Sequence, residues 1–159
     1  MKQSKANKKF VYLISPNKIK DESFYTNLAL VLSSKKISFF QLRLKNETNL
    51  NKLIIGRKIK KICKKYKVKF LINDDPLLAK KINADGCHLG QKDMDLIKAR
   101  KILKKKIIGV TCHNSINLAK IAIKAGADYL AFGAFYTSKT KIVKYRANFR
   151  ILKSVKKIT

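Results

Sequence analysis

Apolar residues recur along this chain in short continuous runs that alternate with longer stretches of helical spacing. Phe10 to Ser15 is an uninterrupted apolar run stopped by Ser15, Pro16 and Asn17, the pattern of a buried first strand. From Lys20 to Ser34 the apolar positions Phe24, Leu28, Val31 and Leu32 fall at helical spacing, with Asp21 near the start. Ile37 to Leu44 repeats the strand signal. Leu50 to Tyr66 repeats the helix, with Leu50, Leu53, Ile54, Ile62 and Tyr66 near one face. Lys69 to Asn73 and Leu77 to Ile82 form a third pair, and Gly86 to Leu89 followed by Met94 to Leu103 a fourth. The fifth is Ile107 to Cys112 with Ser115 to Ala125, which Gly126 can close in a left-handed cap. Tyr129 to Phe132 is a sixth strand, and Phe149 to Ile158 a sixth helix reached through a long polar loop. Strands of near-continuous apolar character alternating with helices imply a parallel sheet covered by helices. Periodicity alone leaves open an open doubly wound sheet or a (β/α) barrel. A full barrel needs eight such units.

The length, 159 residues, suits one domain, and 46% hydrophobic content supports a globular core. No linker or low-complexity tract divides it. The balance of 38 basic against 9 acidic residues gives +29, which raises nucleic acid or an anionic membrane as a partner. The lysines, however, are scattered through every expected helix and loop, without interleaved aromatics, and read as solvated helix faces. Such a field attracts phosphate and diphosphate ligands and leaves salt-sensitive binding to polyanions as a side effect. The three cysteines, Cys63, Cys87 and Cys112, are widely spaced inside expected helices and strands, which suits reduced thiols in the cytoplasm. No segment approaches the roughly 20 apolar residues of a membrane span, and the basic start of the chain lacks the apolar run of a signal peptide.

The chemistry gathers where the apolar runs stop. Asp74 and Asp93 each follow a strand, so in a barrel they share the face on which strand ends meet and can hold one hard cation, Mg²⁺, facing a phosphate-bearing ligand. The alternative is that Asp74 or Asp75 caps the helix begun by Pro76 and Asp93 caps the next. Alternation places Gln41, Arg43 and Lys45 on one side of the second strand, a set suited to an anion, although Arg43 and Lys45 can instead serve as partners of Asp74 or Asp93. The loop from Gly133 to Lys141 offers hydroxyls and amides to a phosphate without being a Walker loop, because no helix starts behind its Lys-Thr pair. His88 and His113, isolated at strand ends, are expected to satisfy local hydrogen bonds.

These stretches together resemble one family. Leu13-Ile14-Ser15-Pro16, Gln41-Leu42-Arg43-Leu44-Lys45, Ile72-Asn73-Asp74, Ala84 through Asp93, Ile108 through His113, Gly126-Ala127-Asp128-Tyr129, Phe132-Gly133 and Thr140-Lys141 occur in the order and spacing of thiamine phosphate synthase, the branch that also contains the thiazole tautomerase TenI. The resemblance implies a TIM (β/α) barrel, here with about six of eight units, that joins hydroxymethylpyrimidine diphosphate to thiazole phosphate with Mg²⁺. It implies that Gln41, Leu42, Arg43, Leu44, Lys45, Asn73, Thr111 and Lys141 hold the pyrimidine diphosphate, with Arg43, Lys45 and Lys141 stabilising the leaving group. Asp74 and Asp93 would hold Mg²⁺, and Ser138, Lys139 and Thr140 would meet the thiazole phosphate. Thr111 stands where the family usually has Ser. The seventh and eighth units, where the family places a glycine-rich phosphate cup, lie outside the sequence. The chain is therefore expected to be truncated, poorly active alone, and open to domain-swapped or other homo-oligomeric assembly. A TenI-like tautomerase needs neither metal nor pyrimidine diphosphate, and the joint presence of Arg43, Lys45, Asn73, Asp74, Asp93 and Lys141 argues against it. A nucleic-acid-binding module is the alternative from another class.

Overall fold

A computed structural model describes residues 10–137 and 143–159. Its elements alternate six times: β1 (Val11–Ile14), α1 (Ser23–Ser33), β2 (Ile37–Leu42), α2 (Asn49–Lys65), β3 (Lys69–Asn73), α3 (Pro76–Ile82), β4 (Gly86–Leu89), α4 (Leu96–Leu103), β5 (Ile107–His113), α5 (Ile116–Lys124), β6 (Tyr129–Phe132) and α6 (Arg150–Val155). All paired strands described run parallel. Contacts divide the chain into two compact units, Met1–Phe70 and Leu71–Thr159.

In the first unit, β1 pairs with β2, and Phe40 of β2 stacks on Phe70 with ring centroids 6.4 Å apart. Leu28 and Leu32 of α1 and Leu53, Ile59 and Cys63 of α2 are buried. The continuous apolar run of β1 suggests burial, but its end residues Val11 and Ile14 are about half exposed (48% and 50%). Among the described pairings β1 is bonded to β2 alone. α1 begins three residues later than the apolar spacing suggests, because the Asp21 carboxylate accepts the Ser23 N–H at 2.9 Å and holds the chain in a turn. The Thr48 hydroxyl caps α2 by accepting the Asn51 N–H.

In the second unit, β3, β4, β5 and β6 form successive parallel ladders whose register puts Asn73, His88, Gly109 and Tyr129 on one rung. Alternation gives the strands two unlike faces. Ile72, Cys87, Leu89, Ile108, Val110 and Cys112 are buried, while Asn73, His88, Thr111 and Tyr129, on the opposite face, are half-buried. Helices α3 and α4 supply small or branched residues to the buried side, Ala79, Ile82, Ala99 and Leu103. Arg100 ties the other end of this unit together. Its guanidinium donates to the carbonyls of Lys104, Lys106 and Gly126, each at 2.7 Å, and to the Asp128 carboxylate at 2.6 Å. Asp128 in turn accepts the Ile108 N–H, which explains an aspartate at the entry to β6. Gly126, at φ +86°, follows the last turn of α5 in the left-handed region, as its position suggests. The sixth helix, Arg150–Val155, is shorter than its apolar spacing at both ends, and Phe149 just ahead of it stacks on Phe135 at 4.8 Å.

Gly86 is where the ladder admits no side chain. A Cβ there would fall 1.8 Å from the carbonyl oxygen of Ile107, a backbone atom that cannot step aside without breaking β4–β5 pairing. Gly86→Ala is expected to lower the unfolding free energy by about 1–3 kcal/mol or more, as overpacking of rigid neighbours does, measured by chemical denaturation.

Candidate active site at the strand ends

β3, β4 and β5 each lead into a short loop that carries polar groups before the next helix. At the end of β3 the backbone reverses at Asp74 (φ +65°), a conformation that aspartate tolerates better than most residues. The Asp74 N–H donates to the His88 carbonyl at 2.8 Å, carrying the β3–β4 ladder one residue past Asn73. Asp75, not Asp74, caps α3: its carboxylate accepts the Leu78 N–H at 2.8 Å, and Pro76 occupies the first turn. The same division occurs after β4. Asp95 caps α4, accepting from Ile97 and Lys98, whereas Asp93 accepts the Gly90 N–H at 2.6 Å across the loop. So the capping alternative is answered by neighbours: Asp75 and Asp95 hold the helices, and neither Asp74 nor Asp93 is a cap. The apolar spacing places the start of α4 at Met94, two residues early, for this reason.

The carboxylates of Asp75, Asp74 and Asp93 all reach the Cys87 thiol electrostatically. Burial pushes that thiol up to about 12, opposed by the Arg100 guanidinium and aided by the smaller effects of these three negative charges. Burial raises Cys112 to about 11. Cys63, Cys87 and Cys112 are free and buried. Among the described residues no group of three or more His, Cys, Asp or Glu gathers as a metal site, so the candidate donor set is the pair of aspartates.

Thr111, on β5, is half-buried, and its hydroxyl lies 2.8 Å from Nε2 of His88. The other ring nitrogen of His88, Nδ1, lies 2.8 Å from the Tyr129 hydroxyl. Local bonding of this histidine agrees with its sequence reading. Gln91 donates from Nε2 to the Thr111 carbonyl at 2.6 Å, tying the loop after β4 to β5. Tyr129 and Gln91 lie in stretches that carry the family resemblance but are given no role there; the signal that points to Tyr129 is its rung position opposite Gly109, visible only once register is known. His113 packs its ring on Tyr145 with centroids 4.1 Å apart. Ala134 donates to the Tyr145 carbonyl and accepts from Ala147, closing the base of the loop after β6. Ser138, Lys139, Thr140 and Lys141, in that loop, lie outside the described residues.

In the first unit β2 ends at Leu42, earlier than the apolar run to Leu44 suggests, because the Arg43 N–H turns to the Ser15 hydroxyl at 2.8 Å. Ser15 itself donates its N–H to the Gln41 carbonyl. Gln41 is buried and accepts from the Tyr12 hydroxyl at 2.8 Å. The Arg43 guanidinium donates to Asn17, and Lys45 is exposed. Leu42 and Leu44 are buried, so main-chain groups are what they can offer to a ligand.

Parallel strands, each followed by a helix, define an α/β architecture of the (β/α)-barrel class. The chain is similar to the solved thiamine phosphate pyrophosphorylase from Pyrococcus furiosus, with TM-score 0.72 and 28% identity over 84% of this chain and 64% of that one. A thiamine-phosphate synthase of Pelagibacter ubique (strain HTCC1062) is 85% identical over all 159 residues, which span 77% of that relative. One of Nitrosomonas eutropha is 38% identical over 92% of this chain and 69% of its own length. The family model for thiamine monophosphate synthase matches residues 11–159, and the chain belongs to that family of transferases in thiamine biosynthesis. The fold is accordingly of the TIM-barrel type, present here as six β/α units. No helix of the described residues is long and apolar enough to cross a membrane.

The Cys87 thiol has a stability signature. Because its folded value lies above the ordinary 9.0, the native state retains a proton that the unfolded chain releases, so its contribution is complete below pH 9 and declines as pH rises toward about 12. Unfolding free energy is expected to fall across that window, with a shallower slope in Cys87→Ala, measured by denaturation at a series of pH values.

Proposed function

We propose that the chain catalyses the thiamine-phosphate synthase reaction through groups at its strand ends. In this reading, residues 1–159 act as one catalytic domain in the cytoplasm, on small-molecule substrates. Gln41, Leu42, Arg43, Leu44, Lys45, Asn73, Thr111 and Lys141 bind hydroxymethylpyrimidine diphosphate, and Ser138, Lys139 and Thr140 meet the thiazole phosphate. The C–O bond between the pyrimidine methylene and diphosphate breaks, leaving positive charge that the ring stabilises. The thiazole nitrogen then forms the new C–N bond, and diphosphate departs. Arg43, Lys45 and Lys141 stabilise the negative charge that develops on the leaving group, so no protein nucleophile is required. Holding both substrates in register supplies the remaining advantage.

Asp74 and Asp93 are the residues that would hold Mg²⁺. The single observation that carries this assignment is the division of work at the two loops, where Asp75 and Asp95 cap the helices while Asp74 and Asp93 do not. Two protein carboxylates are also what the chemistry of Mg²⁺ calls for, since that ion keeps several waters and completes its shell with substrate phosphate. When bound, it would neutralise diphosphate charge.

Asp74→Asn keeps a residue that accepts the left-handed backbone while removing the charge. It is expected to abolish Mg²⁺-dependent binding of the pyrimidine diphosphate, measured by calorimetry, with little change in melting temperature. Asp75→Ala is expected to show the reverse: about 1 kcal/mol lost from stability through the missing cap, and binding retained. Equal affinity of Asp74→Asn and the parent chain would remove Asp74 from the metal role.

A further inference from the structure

The half-buried face of the second unit carries a linked set of polar side chains. Asn73, His88, Gly109 and Tyr129 share a rung, so their side chains leave the sheet on the same side. Gly109 has nothing to place between its neighbours, and the Tyr129 ring fills that gap: a Cβ on Gly109 would fall 1.8 Å from Tyr129 Cζ. The phenol thereby crosses an entire strand to come within 2.8 Å of His88 Nδ1. The two rings lie 26° from parallel with centroids 5.6 Å apart. On its far edge, His88 Nε2 lies 2.8 Å from the Thr111 hydroxyl.

We propose that Tyr129 and His88 are positioning residues that set the direction of the Thr111 hydroxyl, so that its hydrogen is available to a diphosphate ligand. This rests on the reading of Thr111 as a diphosphate contact. A neutral imidazole has one donor and one acceptor nitrogen, and a diphosphate oxygen only accepts. A phenol is the better donor and imidazole nitrogen the better acceptor, so Tyr129 donates to Nδ1. The imidazole hydrogen then sits on Nε2 and is donated to Thr111 Oγ1. With that oxygen already accepting, the single hydroxyl hydrogen of Thr111 is left for the anion. The opposite tautomer would turn the hydrogen toward Nε2 and present lone pairs to the diphosphate. Gly109 is what makes the first arrangement reachable, because any other residue there would block the phenol.

Calorimetric titration of inorganic diphosphate with Mg²⁺ into the full chain tests this. Thr111→Val is expected to weaken binding roughly tenfold, the effect of losing one hydrogen bond to a charged ligand. Tyr129→Phe keeps the ring over Gly109 and removes only the O–H; it is expected to weaken binding severalfold at an unchanged melting temperature. His88→Leu leaves the hydroxyl in place without a set direction and is expected to weaken binding severalfold, less than Thr111→Val. His88→Gln, whose amide N–H stands near the place of Nε2, should recover most of the affinity. The decisive comparison is the double variant Tyr129→Phe with Thr111→Val, expected to bind no more weakly than Thr111→Val alone. Multiplying effects, or full affinity in Tyr129→Phe beside a weakened Thr111→Val, would overturn the relay and leave the diphosphate reading intact. Full affinity in Thr111→Val would instead overturn the reading of Thr111, and the relay with it. If His88→Leu fails to fold, Tyr129→Phe and the double variant decide the matter unaided.

Discussion

The register of the parallel ladders in the second unit fixes which side chains can meet. Side chains alternate from face to face along a strand, so a slip of one residue between β4 and β5 would turn Thr111 and His88 to opposite sides. Register itself is held by close backbone approach. Gly86 lets Ile107 come near enough that no side chain could stand between them, and the Arg100 guanidinium binds the carbonyl ends of three segments and the Asp128 carboxylate at the entry to β6. These structural devices lie at one end of the strands; the candidate chemistry lies at the other. Such separation lets the loops after the strands carry reactive groups while the opposite ends carry stability.

Within those loops, acidic residues are assigned by what the adjoining helix requires. An α-helix leaves its first N–H groups without internal partners, and a carboxylate just ahead of it is drawn into that role. Asp75 and Asp95 meet this demand. Asp74 is displaced from it by a left-handed backbone that instead sends its N–H to the His88 carbonyl, and Asp93 is displaced by its bond with Gly90. Each loop therefore uses one acid as the helix cap and holds the other inside the loop, Asp93 by accepting the Gly90 N–H.

Much of this was legible in the amino-acid sequence, for reasons that differ among elements. β3, β4 and β6 have their observed bounds in the pattern because each apolar run is bracketed by residues with turn chemistry, such as Asn73 with Asp74 or Asp85 with Gly86. The ends that differ are set by side chains that capture backbone groups, which periodicity does not register: Asp21 delays α1, Ser15 ends β2, and Asp95 delays α4. Asp74 and Asp93 stood out as strand-end acids, yet only the capping geometry separates them from Asp75 and Asp95. Tyr129 passed for one apolar residue in a short strand, since a contact made across an intervening strand has no counterpart in local spacing.

Gly109 and Tyr129 are twenty residues apart in the chain and form a single lock-and-key pair in space. Neither can drift alone. A larger residue at 109 would require a smaller one at 129, and a smaller one at 129 would forfeit the phenol. Covariation between these two positions across relatives would thus record selection on a vacancy, a side chain kept absent so that a distant one can reach over it.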